Sequence, residues 1–471
     1  MSQTNKRPTR AQPDSLPTVT TVREAVLRAL INIHQGAYIN LELPTWLQII
    51  PQTHSADRGL LTELLYGTVR QQLYLDYFLA RWSKQPLERL EVPLLCALRL
   101  GAYQIRFSDR IPPHAAVAAT IDALKMVLPT AAGYANAVLR QACQEELWDI
   151  PLPEASAAGL AVRYSHPQWL VERWLKRWGL AATQAMLQQN NQPPVLWLRL
   201  NPLTCTAADR SALTVFQPDE ADSTQQTTHP YIRTIAGVPE AIGFSQEAPL
   251  DTIHQLLRQG KLSVQDSGAM YIARSLEPLP GERILDLCAA PGGKSCHLAE
   301  LMSDIGTVVA MDIHPGRSAL ISRQAERLKL NSIQTIVGDA TVPWQGEAFA
   351  KVLLDAPCSG TGVLRRKVDA RWSKDASQLG ELQQLQRRLL AAAYQAVAPG
   401  GKLLYSTCSL EAEENEANIR WLLAEFPDLE LTPLPSTLPF SDIPGADRGV
   451  ATLLPTNNDS DGFFLALLKR Q

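Results

Sequence analysis

Apolar residues recur at helical spacing through the first part of the chain. Between Val22 and about Gln144, four segments show this spacing: REAVLRALINI, RGLLTELLYGTVRQQLYLDYFLARW, VPLLCALRLGAYQIRF and HAAVAATIDALKMVL. The spacing predicts amphipathic helices that each bury one face. Pro113 is expected to begin the fourth helix and Gly133 to follow its end. We therefore expect a separate all-helical bundle.

The pattern changes after the bundle. Tyr164–Pro167 precedes a tryptophan-rich helical segment that is expected to break near Gly179, and Val195–Leu203 alternates like a strand. Short strands and helices with polar loops follow between Thr206 and Gly268. This mixture predicts a small α+β subdomain.

From Arg283 onward, apolar runs alternate with helical segments. The runs are RILDLCAA, TVVAMDI, IQTIVGDA, KVLLDAP and KLLYSTCS, and each ends near Asp, Cys, Pro or Gly. Such runs are typical of strands buried on both faces of a doubly wound parallel sheet. Asp461–Arg470 is predicted to add an antiparallel last strand, and Pro427–Asn458 to be a surface loop. The fold class is therefore α/β.

A chain of 471 residues is long enough for two or three domains. We expect a disordered start at 1–20, the helical bundle at 21–150, the α+β subdomain at 151–270 and the doubly wound domain at 271–471. A polar N-terminus without a signal-peptide core and the lack of a membrane-length apolar run predict a cytoplasmic protein that does not contact membranes.

Charge and cysteine content limit the possible partners. The net charge of −3 excludes a basic surface over the whole chain, so a nucleic-acid surface would have to be local. Seven cysteines lie scattered without a CxxC pair or a Cys/His cluster. We therefore expect reduced thiols and no metal site. We also expect a monomer.

A glycine turn follows the first strand of the doubly wound domain. CAAPGGKS, Cys288 to Ser295, leads into a helix, and Gly292 and Gly293 allow a ligand to approach the backbone. Its spacing differs from GxGxxG, which disfavours a dinucleotide. Asp312 and Asp339 end the next two strands, where acids can hold a ribose and an adenine amino group. S-adenosylmethionine fits these features; the alternative is an ordinary turn with helix-capping aspartates.

Two cysteines follow two later strands. Asp355 and Cys358 come after one strand, Cys408 comes after the next, and one helical pattern, Ser377–Val397, separates them. Two strands joined by one helix are expected to be parallel and adjacent, so that Cys358 and Cys408 face the same crevice.

Paired cysteines beside a methyl donor suit methylation of carbon 5 of a pyrimidine. A thiolate that adds to carbon 6 makes carbon 5 nucleophilic enough to accept a methyl group. A hydrogen-bond donor and a base complete the reaction, and the two cysteines with Asp355 match these needs. The alternative is that both cysteines are small buried apolar residues.

These motifs resemble those of a known family. LDLCAAPGGK, LLDAPCSGTG with the arginine pair, and YSTCSLEAEENE are similar to the RNA (cytosine-5) methyltransferases of the Sun type. RGLLTELLYGTVR, RIPPHAAVAATID and ANAVLRQ resemble the NusB-like domain fused to bacterial 16S rRNA cytosine-967 methyltransferases. The resemblance implies an all-α NusB-like bundle, a small α+β linker subdomain and a Rossmann-like doubly wound methyltransferase domain.

The resemblance also implies an activity and its residues. The chain would transfer a methyl group from S-adenosyl-L-methionine to carbon 5 of cytosine 967 in 16S rRNA, free or in early small-subunit assembly. Cys408 would be the nucleophile that forms the carbon 6 adduct, and Cys358 would assist product release. The residues implied to contact the cofactor or the base are Cys288, Ala289, Ala290, Pro291, Gly292, Gly293, Lys294, Asp312, Asp339 and Asp355. Lys294 would order the carboxylate end of the methyl donor.

A basic cluster follows the Cys358 loop and is predicted to contact RNA phosphates: Arg365, Arg366, Lys367, Arg371 and Lys374. The alternative is a solvated charged face. Trp372 is expected either to stack on a base or to pack in the fold.

Two departures from the family pattern affect the expected RNA target. Lys367-Val368 replaces the usual His-Pro, and an insertion lies between Pro444 and Asp461. Three other functions remain open: a cytosine-5 methyltransferase that acts on another RNA, a DNA cytosine-5 methyltransferase in which Cys358 attacks, and a catalytically inert rRNA-binding or antitermination scaffold.

Overall fold

The computed structural model describes residues 19–49, 54–149, 156–216, 227–228, 231–245, 248–457 and 459–471. They form two compact units, one drawn from Met1–Asn191 with Arg366–Asp375 and the other from Gln192–Arg365 with Ala376–Gln471. Nearly all of the expected disordered start, 1–20, lies outside the described residues.

The described helices are numbered in chain order. They are α1 (Val22–His34), α2 (Ile39–Leu47), α3 (Ser55–Arg70), α4 (Gln72–Trp82), α5 (Val92–Phe107), α6 (Pro113–Lys125), α7 (Ala132–Ala142), α8 (Ala157–Tyr164), α9 (Gln168–Asn191), α10 (Ala207–Thr214), α11 (Leu250–Arg258), α12 (Ser267–Ser275), α13 (Gly293–Leu301), α14 (Pro315–Leu328), α15 (Ala370–Ser373), α16 (Gln378–Ala396) and α17 (Glu416–Glu425). Short 3-10 turns lie at Leu87–Arg89, Pro129–Ala131, Glu145–Trp148 and Ala446–Arg448.

The described strands are numbered in the same way. They are β1 (Leu196–Leu200), β2 (Val215–Phe216), β3 (Thr227–Thr228), β4 (Ile232–Ile235), β5 (Val238–Phe244), β6 (Leu262–Val264), β7 (Arg283–Leu287), β8 (Thr307–Asp312), β9 (Ile333–Val337), β10 (Phe349–Asp355), β11 (Val397–Thr407), β12 (Leu429–Leu431), β13 (Val450–Leu453) and β14 (Phe463–Arg470).

The first unit is helical, as its apolar spacing predicted. Apolar faces of α1 to α7 form one core. Pro113 begins α6. Proline suits this position because backbone N–H groups in the first turn have no acceptor inside the helix, so the missing N–H of proline costs no hydrogen bond. The prediction for Gly133 was wrong: α6 ends at Lys125, and Gly133 lies in the first turn of α7. The single long segment before α5 is two helices, α3 and α4, that meet at Gln71.

A short segment from late in the chain belongs to this helical unit. Val368 is completely buried in the helical core. The Asp369 carboxylate accepts a hydrogen bond from the Ile39 backbone N–H at 3.3 Å. The Trp372 indole donates to the Val69 carbonyl at 2.9 Å. Trp372 is therefore packed in the fold, which was one of the two expectations for it.

The second unit begins with a small antiparallel sheet. Its strand order is β4-β5-β1-β6, and β1 pairs antiparallel with both β5 and β6. The α10 and α11 helices pack apolar residues on it, including Leu213, Ile253 and Leu256. This part is the predicted α+β subdomain. The helix before it, α9, is broken at Gly179, where φ is 74° and the chain leaves the helical conformation.

A larger sheet follows, with the order β12-β14-β11-β10-β7-β8-β9 and with β13 beside β14. Strands β7 to β11 are parallel, and β14 runs antiparallel to β11. Chain order runs from β7 outward through β8 and β9, then restarts at β10 on the other side of β7. The crevice at the carboxyl ends of β7 and β10 is therefore the topological switch point, where such sheets bind ligands.

Alternate residues of each central strand enter two different cores. Ile284 of β7 packs in a core with α12, α13 and α14, whereas Leu285 packs in a core with α16 and α17. Because successive strand residues face opposite sides, a sheet covered on both faces needs continuous apolar runs. This explains why the sequence predicted these strands well.

The segment 427–458 was predicted to be a surface loop, and this was wrong. Strands β12 and β13 both pair with β14, and Leu438, Phe440, Ala451 and Leu453 are buried. The insertion after Pro444 thus supplies an edge strand. Asn458 lies outside the described residues. Across the described ranges, no helix combines the length and apolarity that a membrane span needs.

Candidate active site

The turn between β7 and α13 is tightly built. Gly292 has a φ of 101°, and a Cβ placed there would lie 3.0 Å from the Ile321 backbone, so both conformation and space require glycine. Cys288 also has a positive φ, 62°. A Cβ at Gly293 would meet no atom within 4 Å, so the start of α13 borders open space.

Carboxylates end the strands on either side of this turn. Asp312 is the last residue of β8, and Asp355 is the last residue of β10. The buried Asp312 accepts from the His314 N–H at 3.0 Å and pairs with Arg317 at 3.3 Å.

Asp339 lies two residues beyond β9 and accepts from the Thr341 backbone and hydroxyl. These two hydrogen bonds lower the pKa of Asp339. Asp339 therefore caps its own turn rather than a helix, and its side chain is exposed at the carboxyl edge of the sheet.

Lys294, in the first turn of α13, forms an ion pair with Asp355 at the end of β10. Its Nζ lies 2.6 Å from Asp355 Oδ2, while Ser406 of β11 donates to Asp355 Oδ1 at 2.8 Å. Burial by itself would lower the pKa of Lys294, but the Asp355 carboxylate and then the Cys408 sulfur raise it above its usual value. A positive charge is thus held beside the Cys408 sulfur.

The two strand-end cysteines meet at this edge. Cys358 Sγ and Cys408 Sγ are 3.3 Å apart, and neither cysteine forms a disulfide. The prediction that they face the same crevice is confirmed. The hydrogen bond with Cys408 and the burial of the thiol raise the pKa of Cys358 well above its ordinary range. This shift favours the protonated form of the Cys358 thiol.

Burial raises the pKa of Cys288 to about 12, and neighbouring carboxylates add to the shift. Cys288 thus lines the turn as an unreactive thiol.

Sequence reasoning missed three polar residues of this site. They are Ser406, Ser295 and Asp286, whose carboxylate accepts from the Ser295 hydroxyl at 2.6 Å. Asp286 lies inside an apolar run, where a fully buried acid is an unusual residue. That exception was the signal available in the sequence.

The predicted phosphate contacts need correction at two arginines. Arg365 is 4% exposed and donates to the backbone carbonyls of Gln192 and Pro193 at 3.2 and 2.5 Å. Arg371 is 1% exposed and donates to the carbonyls of Ser165 and Asn190. Both arginine side chains are buried and donate to backbone carbonyls.

The other members of the basic cluster differ in exposure. Lys367 is exposed, and Arg366 and Lys374 are half-buried.

Fold and site together define an α/β enzyme of the Rossmann-like methyltransferase class. Three family models match the chain: 16S rRNA methyltransferase RsmB/F over 273–469, NusB family over 20–144, and an RsmF/B-like ferredoxin-like domain over 166–214. The chain belongs to the RsmB/F family of 16S rRNA methyltransferases. The resemblance seen in the motifs, including the NusB-like part, is confirmed.

Curated relatives match over nearly the whole chain. The probable ribosomal RNA small subunit methyltransferase B of Bacillus subtilis is 33% identical, covering 96% of this chain and 99% of the relative. Ribosomal RNA small subunit methyltransferase B of Vibrio cholerae is 35% identical, covering 96% of this chain and 98% of the relative.

Solved structures agree on the fold. The crystal structure of PH0851 aligns with a TM-score of 0.78 and 27% identity over 97% of this chain and all of that one. A methyltransferase homologue from Pyrococcus horikoshii aligns with a TM-score of 0.54 and 27% identity over 67% of this chain and 99% of that chain.

Proposed function

We propose that this chain transfers a methyl group from S-adenosylmethionine to carbon 5 of a cytosine in 16S rRNA, at position 967. Family membership supports an rRNA methyltransferase. The observation that carries the finer proposal is the 3.3 Å separation of the Cys358 and Cys408 sulfur atoms beside Lys294. Two thiols at one switch-point crevice suit a reaction in which one attacks a base and the other assists its release.

The residues at the switch point fit the cofactor. Open space lies beside Gly293. Asp312 ends β8 and Asp339 lies two residues beyond β9, where ribose hydroxyls and an adenine amino group can be held. When bound, S-adenosylmethionine supplies an electrophilic methyl group. Lys294 and Asp355 lie between the turn and the cysteines, so they can orient the reacting groups.

Cys408 is the proposed nucleophile. Its thiolate adds to carbon 6 of the cytosine, and the Lys294 ammonium stabilises the negative sulfur before attack. The new bond makes carbon 5 nucleophilic enough to take the methyl group. The Asp355 carboxylate or a water molecule then takes the proton from carbon 5, the carbon 5–carbon 6 double bond re-forms, and the Cys408 sulfur leaves as a thiolate. Cys358, whose raised pKa favours its protonated thiol, assists this release. The target base has to leave its stack to reach the two sulfur atoms.

The raised pKa of Cys358 also bears on the DNA alternative. A thiol held protonated by burial and by its neighbour is a poor attacking group. An enzyme in which Cys358 attacks would need a thiolate at Cys358. Membership of an rRNA methyltransferase family also favours RNA over DNA as the substrate.

Bisulfite sequencing of 16S rRNA tests the proposal, because 5-methylcytosine resists conversion. Cells lacking the gene are complemented with wild type, Cys408→Ala, Cys358→Ala or Cys143→Ala. Cys143 is an exposed free thiol and serves as the matched control. We expect one protected cytosine with wild type and Cys143→Ala and none with Cys408→Ala.

Protection that persists with Cys408→Ala would overturn the assignment of the nucleophile. Identical rRNA with and without the gene would favour an inert scaffold.

A further inference from the structure

The residues that follow the two cysteines lie side by side. Ser359 follows Cys358, Ser409 follows Cys408, and both serines are buried. Their hydroxyl oxygens are 3.0 Å apart. The Gly362 N–H also donates to the Cys408 carbonyl at 2.9 Å. The loop after β10 that carries Cys358 and the loop after β11 that carries Cys408 are thus linked to each other; we call them the Cys358 loop and the Cys408 loop.

One buried carboxylate accepts hydrogen bonds from both loops. Glu414 is completely buried. Its Oε1 accepts from the Ser359 backbone N–H at 2.8 Å, and its Oε2 accepts from the hydroxyls of Ser359 and Ser409. Each loop therefore donates at least one hydrogen bond to the same side chain. Hydrogen bonds to a carboxylate are shorter and stronger than neutral ones.

The carboxylate is itself fixed in place. The side-chain amide nitrogen of Gln386, in α16, donates to Glu414 Oε1 at 2.9 Å and to the Pro357 carbonyl at 2.9 Å. Asn418 of α17 donates to the Gln386 amide oxygen at 2.8 Å. Among the described residues, no lysine, arginine or histidine forms an ion pair with Glu414. Glu414 is thus fixed by hydrogen bonds from Ser359, Ser409 and Gln386.

We propose that Glu414 is a positioning residue that holds the Cys358 and Cys408 loops together and so fixes the separation of the two thiols. This inference rests on the proposed function, because the separation matters only if both sulfur atoms serve one base. Glu414 touches neither sulfur and acts through Ser359 and Ser409.

Parallel strands alone do not fix this separation. The register of β10 and β11 pairs Asp355 with Ser406, but Cys358 lies three residues beyond that pair and Cys408 two residues beyond it. Loops that project past the last ladder hydrogen bonds need other partners to keep one geometry. A displacement of about 1 Å between reacting groups can cost about 100-fold in rate.

The charge of Glu414 also acts on the pair. Its carboxylate is one of the groups that raise the pKa of Cys358, after the hydrogen bond with Cys408 and the burial of the thiol. Glu414 thereby favours the protonated state of Cys358 while holding its loop.

Three variants test the proposal. Glu414→Ala removes the link between the loops. Glu414→Gln keeps the shape and can keep the bond from the Ser359 N–H. Glu425→Ala is the matched control, because Glu425 is an exposed glutamate at the end of α17.

The first readout is thiol geometry, which does not depend on methylation. A diazene oxidant such as diamide takes two electrons and two protons from the Cys358 and Cys408 thiols. A disulfide forms and the diazene becomes a hydrazine. Peptide mapping by mass spectrometry then gives the rate of cross-linking.

We expect fast cross-linking for wild type and Glu425→Ala. For Glu414→Ala we expect the cross-linking rate to fall by at least about tenfold, and for Glu414→Gln we expect a partial recovery of that rate.

The second readout is steady-state methylation of a 16S rRNA fragment. Glu414→Ala is expected to lower kcat by about 100-fold, with the KM for S-adenosylmethionine unchanged. Glu414→Gln is expected to recover much of kcat with a shifted pH profile. A wild-type enzyme that cross-links normally but does not methylate would contradict the proposed function and leave the positioning role standing.

Cross-linking of Glu414→Ala at the wild-type rate would overturn the positioning role. If Glu414→Ala does not fold, the Ser359→Ala and Ser409→Ala single variants and their double variant replace it. Each single variant removes one hydroxyl donor to the carboxylate. Slower cross-linking in the double variant than in either single variant supports the role, and a wild-type rate in the double variant overturns it.

Discussion

Replacing the buried Asp286 by asparagine is expected to stabilise the protein at alkaline pH. Asp286 is 1% exposed in the middle of β7, and its Oδ2 accepts from the Ser295 hydroxyl. Its Oδ1 has no hydrogen-bond partner among the described residues. Burial raises the pKa of Asp286 to about 7, against the opposing effects of the Ser295 hydroxyl and Lys294.

The raised pKa sets the sign and size of the effect. An unfolded aspartate has a pKa of about 3.9, so between pH 4 and 7 unfolding releases a proton from Asp286. The stabilising contribution of its protonated form is complete below about pH 4 and is lost as pH rises through 7. At 1.36 kcal/mol per pKa unit, the total loss is about 4 kcal/mol, of which about 3 kcal/mol falls between pH 5 and 8.

The measurement is urea unfolding of the full chain at pH 5 and pH 8. The amide side chain of the Asp286→Asn variant cannot ionise and keeps an oxygen that can accept from Ser295. The free energy of unfolding of the variant, relative to wild type, is expected to rise by about 3 kcal/mol from pH 5 to pH 8. Asp447→Asn, at an exposed aspartate, is the control, and its free energy of unfolding relative to wild type should not change between pH 5 and pH 8. A difference that is the same at both pH values would refute the reasoning, because Asp286 would then be charged in the fold.

Three further outcomes are expected. Arg365→Ala should lower stability by about 1–3 kcal/mol, measured by thermal unfolding, because the packing of a buried side chain and its charged hydrogen bonds to the Gln192 and Pro193 carbonyls are lost; an unchanged midpoint would contradict this. Lys367→Ala should lower the salt slope of RNA binding by about one, measured by filter binding over a range of salt concentrations; an equal slope would place the RNA elsewhere. Arg199→Ala should cost about 3–5 kcal/mol in chemical denaturation, because it leaves Glu300 buried without its 2.7 Å partner; a loss under about 1 kcal/mol would show that water replaces the pair.

Local patterns predicted the parts of the site that strands position. Because β10 and β11 are parallel neighbours, the sequence alone brought Cys358 and Cys408 to one edge. The glycine turn was predictable for the same reason, since Gly292 must adopt a conformation that other residues avoid. The glycine turn depends on residues that are close together in the chain, and the meeting of the two cysteines depends on the single crossover from β10 through α16 to β11.

Features that depend on distant partners were missed. The carbonyls that bind Arg365 lie more than 170 residues earlier in the chain, so its charge resembled an RNA contact. The short strands β12 and β13 lie among prolines and polar residues, and only pairing with β14 makes them strands. Sequence periodicity carries little information about three- and four-residue edge strands.

The most direct test of the central claim is to identify the sulfur atom that bonds to the base. A 16S rRNA fragment with 5-fluorocytosine at position 967 traps the adduct, because fluorine at carbon 5 cannot leave as a proton does. The enzyme is incubated with this RNA and S-adenosylmethionine, digested, and mapped by mass spectrometry, with DNA of the same sequence as the control. We predict an adduct on the peptide that contains Cys408, with RNA and not with DNA. An adduct on Cys358, or one that forms only with DNA, would contradict the proposed mechanism.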